Sequence, residues 1–191
     1  MISFAEIEIA LLGLLRLARF DAAFAGFFDL SPQGARRSFR LSLWLLPIYL
    51  FMSHLNAVWP EDTDMIRVVA AEIIGFSLSW TCFSLLLVSI APMIDRRSRI
   101  CGAIAIYNWL SVLFIAMQIP IAIALYFGLD PSWAGGLSEL TLFFITACEF
   151  FAFQRLLELR LSLTIALVGV DFVLSRMLEL LTYGVANNTL F

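Results

Sequence analysis

Long apolar segments alternate with short polar ones along most of this chain. The apolar segments cover residues 41–59, 66–93, 101–127, 139–154 and 162–184. A membrane helix needs roughly 20 apolar residues to cross a hydrocarbon layer about 30 Å thick, and these segments reach or approach that length. Pro47 and Pro120 lie inside two of them, which membrane helices tolerate when neighbouring groups bind the freed carbonyls. The pattern predicts an all-α, polytopic membrane protein with five transmembrane helices.

Residues 3–20 show a helical period instead of one long apolar run. At about 100° per residue, one face collects Phe4, Ile7, Leu11, Leu14, Leu15 and Ala18, and the opposite face collects Ser3, Glu6, Gly13, Arg16 and Arg19. We expect an amphipathic helix that lies in the membrane interface. A helix that packs its apolar face on the protein's own spans fits the pattern equally well. Acidic residues inside the apolar run, with no basic residue before it, distinguish the segment from a signal peptide.

Two features of the C-terminal half define the last two spans. Residues 128–139, "GLDPSWAGGLSE", contain Gly and Pro and predict a loop before the fourth span. No Gly or Pro marks a turn between spans four and five. A single helix over residues 139–184 would be roughly 69 Å long at about 1.5 Å per residue. Because that is more than twice the hydrocarbon thickness, we predict a bend in the polar segment 154–160.

The composition agrees with a membrane protein. Hydrophobic residues make up 62% of the chain and charged residues 14%, and the mean hydropathy is +0.95. Soluble domains have about 45–50% apolar and about 25% charged residues. The net charge of −3 and the lack of a basic tract argue against a nucleic-acid partner. Membrane lipids and other integral membrane proteins are the partners that this composition favours.

The arginines predict an orientation. All twelve basic residues are Arg, and one side of the predicted membrane layout holds ten of them: Arg16, Arg19, Arg36, Arg37, Arg40, Arg96, Arg97, Arg99, Arg155 and Arg160. The other side holds only Arg67. Because short cytoplasmic loops are enriched in basic residues, we expect a cytoplasmic N-terminus and a periplasmic C-terminus in a bacterial inner membrane. Residues 1–37 would form the cytoplasmic amphipathic helix and basic collar, and residues 38–191 the five-helix transmembrane domain.

A cluster of polar side chains is predicted inside the membrane. It consists of Glu72, Gln118, Glu149, Asp171 and Arg176. At about 1.5 Å per residue from the outer end of each span, these positions lie roughly 9–19 Å deep and gather mainly in the outer half. A charge at mid-membrane costs about 2.5–3.5 kcal/mol on insertion scales. We therefore expect Arg176 to make a direct or water-bridged contact with Glu149, Glu72 or Asp171, and to pair with Glu179 at i, i+3.

Three interpretations of this cluster remain open. It is an internal network that fixes how the spans pack, a polar pathway for an ion, proton or small solute, or a set of charges that faces a partner subunit. The five spans show no inverted repeat of the kind that many transporters have. We favour the packing network, because it needs no feature beyond the polar residues themselves.

No pattern in the sequence points to catalysis, a cofactor or a metal. Cys82, Cys101 and Cys148 are scattered, and His54 is the single histidine, so zinc ligands at usual spacing are missing. The sequence contains neither a G-x-S-x-G turn nor a Gly-rich phosphate loop. The acidic residues Glu61, Asp62 and Asp64 fit a solvated loop better than a metal site. We expect a non-enzymatic protein.

One short segment and the overall layout resemble a known family. The segment "FFDLSPQGARRSF", residues 27–39, precedes five predicted spans with the N-terminus inside and the C-terminus outside. This layout resembles the Yip family (Ypt-interacting proteins) and its small bacterial relatives. The resemblance implies a membrane organiser, or an accessory or assembly subunit, and supplies no catalytic residues. The competing hypothesis is a small transporter or channel component that uses the polar cluster.

Overall fold

A computed structural model describes residues 3–56 and 64–186. In these ranges the chain is helical and contains no strand, which confirms the all-α prediction. The α-helices are α1 (Phe4–Leu17), α2 (Pro32–Ser38), α3 (Leu41–Asn56), α4 (Met65–Ile90), α5 (Arg97–Tyr126), α6 (Pro131–Leu157) and α7 (Leu161–Ala186), with a 3₁₀ helix at Ala22–Phe27.

Within the described residues, four helices are long and apolar enough to cross a membrane. They are α4, α5, α6 and α7, with 26, 30, 27 and 26 residues. They correspond to the second to fifth predicted spans. The first predicted span contains α3, which has 16 residues and ends at Asn56, where the first described range also ends. The remainder of that span and the acidic residues Glu61 and Asp62 lie outside the described residues.

The predicted loop before the fourth span is wrong. Residues 131–139 are helical, and α6 begins at Pro131. Asp130 caps the helix by accepting a hydrogen bond from the Ser132 backbone N–H at 2.8 Å. Proline is favoured in a first helical turn because the missing N–H has no helical partner there. Gly135 and Gly136 mark an open helix surface, since a Cβ added to either would meet nothing within 4 Å.

The predicted bend between spans four and five is confirmed. Helix α6 ends at Leu157, α7 begins at Leu161, and Glu158 between them has a left-handed backbone with φ 48°. Gln154 stabilises the turn from the last turn of α6. Its Nε2 donates to the Leu159 carbonyl at 3.0 Å, and its Oε1 accepts from Thr164 Oγ1 at 2.7 Å. Side-chain hydrogen bonds thus make a turn that carries no Gly or Pro.

The α4–α5 connection covers the end of α6. Arg96 Nε donates to the Leu157 carbonyl at 2.6 Å, and Arg99 Nη1 donates to the Leu156 carbonyl at 3.1 Å. Arg99 also pairs with Glu158 at 2.8 Å. The last carbonyls of a helix lack helical partners and carry partial negative charge, so arginine is well suited to bind them. We call this end of the bundle, which also holds Arg155 and Arg160, the arginine end.

Helix α5 is the centre of the fold. It contacts α1, α2, α3, α4 and α6. Small side chains near its start permit close approach, and Gly102 lies so near the loop before α2 that an added Cβ would be 3.1 Å from Leu30. One turn and a half further on, the buried Asn108 donates to Ser38 Oγ at 2.9 Å. Helix α2 is thereby fixed beside the first half of α5, at the arginine end.

The N-terminal segment is a helix that packs partly on the bundle. Ala10, Leu14 and Leu17 of α1 are buried in a core shared with α3 and α5. Of the predicted apolar face, Leu14 lies in this core, whereas Phe4, Leu11 and Leu15 are exposed. Helix α1 therefore packs one side on the protein's own helices and exposes apolar side chains on another side.

Candidate functional site

A cavity of about 690 Å³ lies between helices α3 to α7. Its walls come from the later parts of α3, α5 and α7 and the earlier parts of α4 and α6. It therefore occupies the half of the bundle opposite the arginine end, from near mid-bundle toward the α5–α6 connection. We call this half the cavity end. All the side chains of the predicted polar cluster line the cavity: Glu72, Gln118, Glu149, Asp171 and Arg176.

Small polar side chains leave the cavity open while the helices around it stay in contact. Serines line it from five helices: Ser53, Ser79, Ser111, Ser138 and Ser175. Helices α4 and α7 touch at Gly75, where an added Cβ would be 2.1 Å from Thr182 Oγ1. Helices α6 and α7 are joined by Phe143 and Phe172, whose rings stack with centroids 6.4 Å apart. The volume therefore results from small residues within a bundle that is closed on its sides.

The floor of the cavity is a group of hydrogen-bonding side chains. Tyr107 Oη donates to Asp171 Oδ1 at 2.9 Å, and the Ser175 hydroxyl adjoins Tyr107. The Glu149 carboxyl lies close enough to Asp171 for the two groups to interact electrostatically. Glu149 is 4% exposed and Asp171 8%. Two carboxylates this close repel each other strongly in a low-dielectric interior, and Glu149 Oε1 has no hydrogen-bond partner among the described residues.

A second acidic position lies on the wall between α3 and α4. Ser53 Oγ donates a hydrogen bond to Glu72 Oε1. The other oxygen, Glu72 Oε2, is 3.9 Å from His54 Nδ1, which is beyond hydrogen-bond length. Glu72 is 5% exposed, and within the described parts of the chain this oxygen has no hydrogen-bond donor.

The mouth of the cavity carries an ion-pair cluster around Arg176. Its Nη2 donates to both oxygens of Glu139 at 2.9 Å, and its Nη1 donates to Glu179 Oε2 at 2.7 Å. The guanidinium also lies 5.8 Å from the ring centroid of Phe172. The side chains of Arg176, Glu139 and Glu179 are 32%, 53% and 65% exposed.

Of the predicted partners of Arg176, Glu179 alone contacts it directly among the described residues. The pair with Glu179 is confirmed. Direct contact with Glu72, Glu149 or Asp171 is absent within the described residues, because the guanidinium turns toward the mouth and binds Glu139. Glu139 belongs to the predicted loop at 128–139. In the structure, this residue lies about two turns inside α6, at the level of Arg176. The helix-start signal at Asp130 and Pro131 could have revealed this depth.

Gln118 connects two walls near the mouth. Its Oε1 accepts a hydrogen bond from Ser138 Oγ at 3.0 Å, which joins α5 to α6. Each predicted cluster residue thus lies on the cavity wall, but in separate groups. Asp171 and Glu149 belong to the floor, Glu72 to the α3–α4 wall, and Gln118 and Arg176 to the mouth.

The cavity lining is acidic and aromatic. Carboxyl groups outnumber the guanidinium of Arg176: Glu72, Glu139, Glu149, Asp171 and Glu179. Aromatic rings line the space between them: Tyr49, Phe76, Trp80, Tyr107, Phe114 and Phe172. Across the described ranges, no three His, Cys, Asp or Glu side chains converge as metal ligands. Asp64, from the acidic segment of the sequence, caps α4: its Oδ1 accepts a hydrogen bond from the Ile66 backbone N–H at 3.1 Å. The lining can bind positive charge beside apolar surface.

Comparisons of the chain with known protein families, with curated proteins and with solved structures find no match. The resemblance to the Yip family stays a prediction.

Proposed function

We propose that this protein is a small transporter or channel component that binds a polar or positively charged solute in the cavity. The observation that carries the proposal is a pair of buried carboxylate oxygens, Glu72 Oε2 and Glu149 Oε1, that line an open volume without hydrogen-bond partners among the described residues. A network that serves packing alone should satisfy its buried polar atoms. Charges inside a membrane are costly, and they are usually kept where they bind or conduct something.

The proposed arrangement has five spans, with α3 as the first. Arginines from separate connections gather at one end, through the contacts of Arg96 and Arg99 with the end of α6. The excess of arginine favours a cytoplasmic position for that end in a bacterial inner membrane. The cavity then opens on the periplasmic side. Helix α1, with Phe4, Leu11 and Leu15 exposed, would lie in the cytoplasmic interface.

A second candidate function is that of a membrane organiser or accessory subunit. An apolar groove of about 490 Å³ supports it, lined by Phe20, Phe143, Thr146, Ala147, Phe150, Phe151, Ile165 and Val168. A lipid chain or a helix of another membrane protein would fit such a surface. The groove and the cavity share Thr146 but none of the cavity carboxylates, so variants of those carboxylates should leave association through the groove unchanged.

The proposed function is tested by thiol labelling in intact membranes. Cys82, Cys101 and Cys148 are replaced by Ala, and Ser111 in the cavity is changed to Cys. A trimethylammonium methanethiosulfonate and a sulfonate methanethiosulfonate are applied from the periplasmic side, and each rate is normalised to that of a free thiol. We expect the cation to react at least about ten times faster, because an acidic cleft concentrates counter-ions.

The matched control is Ser77→Cys in the same background. Ser77 lies on α4 at the level of the cavity, but it is exposed on the outer surface of the bundle. We expect it to react slowly with both reagents, because lipid surrounds it. Slow and equal reaction of Ser111→Cys with the two reagents would contradict the proposal and favour the packing network.

A further inference from the structure

We propose that the solute is an amphipathic primary amine, an ammonium group attached to an apolar or aromatic body. The inference rests on the proposed function, because it names the class of solute for the same cavity. The ammonium would bind Glu149 beside Asp171 or Glu72 on the opposite wall, and the body would lie against the aromatic lining.

The unpartnered oxygens call for a ligand that carries N–H donors and positive charge. Glu149 and Glu72 are each more than nine-tenths buried, and each presents one carboxylate oxygen without a donor in the described chain. An ammonium has three N–H donors and no acceptor, so it can satisfy such an oxygen and reduce the repulsion between Glu149 and Asp171. An alcohol supplies a donor without charge, and a quaternary ammonium supplies charge without a donor.

The size and spread of the site favour an organic cation over an inorganic ion. The carboxyl groups are on α4, α6 and α7, and in the part of the chain that the structure describes they do not converge as metal ligands. The volume of about 690 Å³ falls in the range of pockets that hold small organic molecules, about 300–1,000 Å³. A bare ion would leave most of this space and the second acidic wall unused.

Aromatic rings lie next to Glu72 on the same helix face. Phe76 and Trp80 follow it at steps of four along α4, and their ring centroids are 6.0 Å apart. Tyr49 of α3 continues the row, 5.1 Å from Phe76 between centroids. A carboxylate beside aromatic faces is a favourable environment for an ammonium that carries an apolar body.

The protein's own Arg176 uses this combination at the mouth. Its guanidinium binds the carboxylates of Glu139 and Glu179 and lies over the ring of Phe172. Deeper in the cavity, no cationic side chain of the described residues binds the open oxygen of Glu149, and the one nearest to that of Glu72 is His54, with Nδ1 3.9 Å away. The structure assigns that position to the ammonium of a ligand.

The test is binding of 2-phenylethylamine to the purified full-length protein in lipid nanodiscs, by isothermal titration calorimetry. The comparison ligands are 2-phenylethanol, 3-phenylpropionate and the N,N,N-trimethyl derivative of the amine. We expect saturable binding of the amine at millimolar concentration or below. The alcohol and the trimethyl derivative should bind at least about ten-fold more weakly, since each lacks part of a charge-assisted hydrogen bond. The propionate should not bind.

Two variants locate the binding. Glu149→Gln and Glu72→Gln keep the side-chain size, and at least one of them should weaken amine binding about ten-fold or more. Glu158→Gln, at the arginine end, is the matched control and should bind the amine with the same affinity as the wild-type protein. Elution of each variant as a single species in size-exclusion chromatography shows that it is folded, and either carboxylate variant suffices if the other fails to fold.

Several outcomes would overturn the proposal. They are absence of amine binding, equal binding of the amine and the alcohol, and amine binding that both carboxylate variants leave unchanged. Cation-selective labelling of Ser111→Cys together with any of these results would retain the proposed function and reject only the amine. Loss of the labelling selectivity as well would reject both.

Discussion

The two ends of the bundle use polar residues in opposite ways. At the arginine end, Arg96 and Arg99 bind the carbonyls that end α6, and Arg99 also pairs with Glu158. In the cavity lining, carboxyl groups outnumber Arg176, and two of their buried oxygens have no hydrogen-bond donor in the described ranges. Arginines at one end bind the carbonyls that terminate a helix, whereas two carboxylate oxygens at the other end line an open volume without a donor.

Packing follows the same division. Phe83, Leu87, Phe153 and Leu157 fill the arginine end and are at most 1% exposed. At the cavity end, serines occupy several positions where large side chains would close the space. A helix bundle in a membrane is held by close packing and hydrogen bonds, since lipid gives little hydrophobic drive between helices. The close packing of the arginine end therefore holds the helices in place around the open cavity at the cavity end.

We expect the largest loss of stability from a substitution in the core of the arginine end. Phe153 is fully buried and its ring lies 5.9 Å from that of Phe83 between centroids. Phe153→Ala should lower the free energy of unfolding by about 3–5 kcal/mol, because it removes these contacts and leaves a void. Phe114→Ala in the cavity wall should cost less than about 2 kcal/mol. Detergent-induced unfolding of both variants measures the difference, and equal losses would contradict the division into a packed and an open end.

The next effect concerns the contact that closes the cavity between α4 and α7. Gly75→Ala should lower the free energy of unfolding by about 1–3 kcal/mol, because the added methyl overlaps Thr182. Gly169→Ala on α7 is the matched control, since a Cβ there meets nothing within 4 Å. It should raise stability by about 0.5–1 kcal/mol, because Ala is favoured over Gly inside a helix. Thermal unfolding in detergent compares them, and an unaffected Gly75→Ala would mean that the helices approach less closely than described.

A smaller effect is expected at the mouth. Arg176→Gln removes the link between α6 and α7 and leaves the lining more acidic, so the trimethylammonium reagent should reach Ser111→Cys several-fold faster. A double-mutant cycle with Glu139→Gln should give a coupling energy of about 0.5–3 kcal/mol in unfolding. Zero coupling would show that the pair with Glu139 does not hold the helices together.

The smallest effect belongs to the surface of the arginine end. The hydrogen bond and charge of Arg99 lower the pKa of Glu158 below its ordinary value of 4.5. Because the pKa is lowered in the folded state, the pair stabilises the fold above the ordinary pKa. That contribution is lost as the pH falls through the lowered value. Thermal unfolding over this acidic range should show a slightly weaker pH dependence for Glu158→Gln than for the unchanged protein. A stronger dependence in the variant would contradict the sign of the shift.

Several features of the fold could be predicted because they depend on distance along a helix. The lengths of the apolar segments predict α4, α5 and α7 to within a few residues at each end. The maximum length of a membrane helix predicts the turn at Glu158. Depth along the spans predicts a shared region for five polar residues, and all five line one cavity: Glu72, Gln118, Glu149, Asp171 and Arg176. The loop prediction fails at the start of α6 because proline and glycine, which are common in loops, also occur in the first turns of a helix.

The partners within the site could not be predicted, because depth does not fix the direction in which a side chain points. Arg176 lies at a level shared by several acids, and rotation about the axis of α7 directs it to Glu139 instead of Glu149 or Asp171. The serines of the lining gave no signal either, since a small polar residue is common on any membrane helix. The direction of each helix face is set by packing around α5, which involves contacts far apart in sequence.

The measurement that tests the open cavity most directly is the accessibility of spin labels on α7. Nitroxide labels are attached at Ser175→Cys, in the cavity, and at Val173→Cys, which is 56% exposed on the outer surface. Both variants lack the native cysteines and are placed in lipid bilayers. A neutral, water-soluble nickel chelate should relax the label at position 175 strongly and the label at position 173 weakly, whereas oxygen should show the opposite preference. If position 175 is as inaccessible to the chelate as position 173, the cavity is closed to water and the account of this protein as a solute-binding membrane component is wrong.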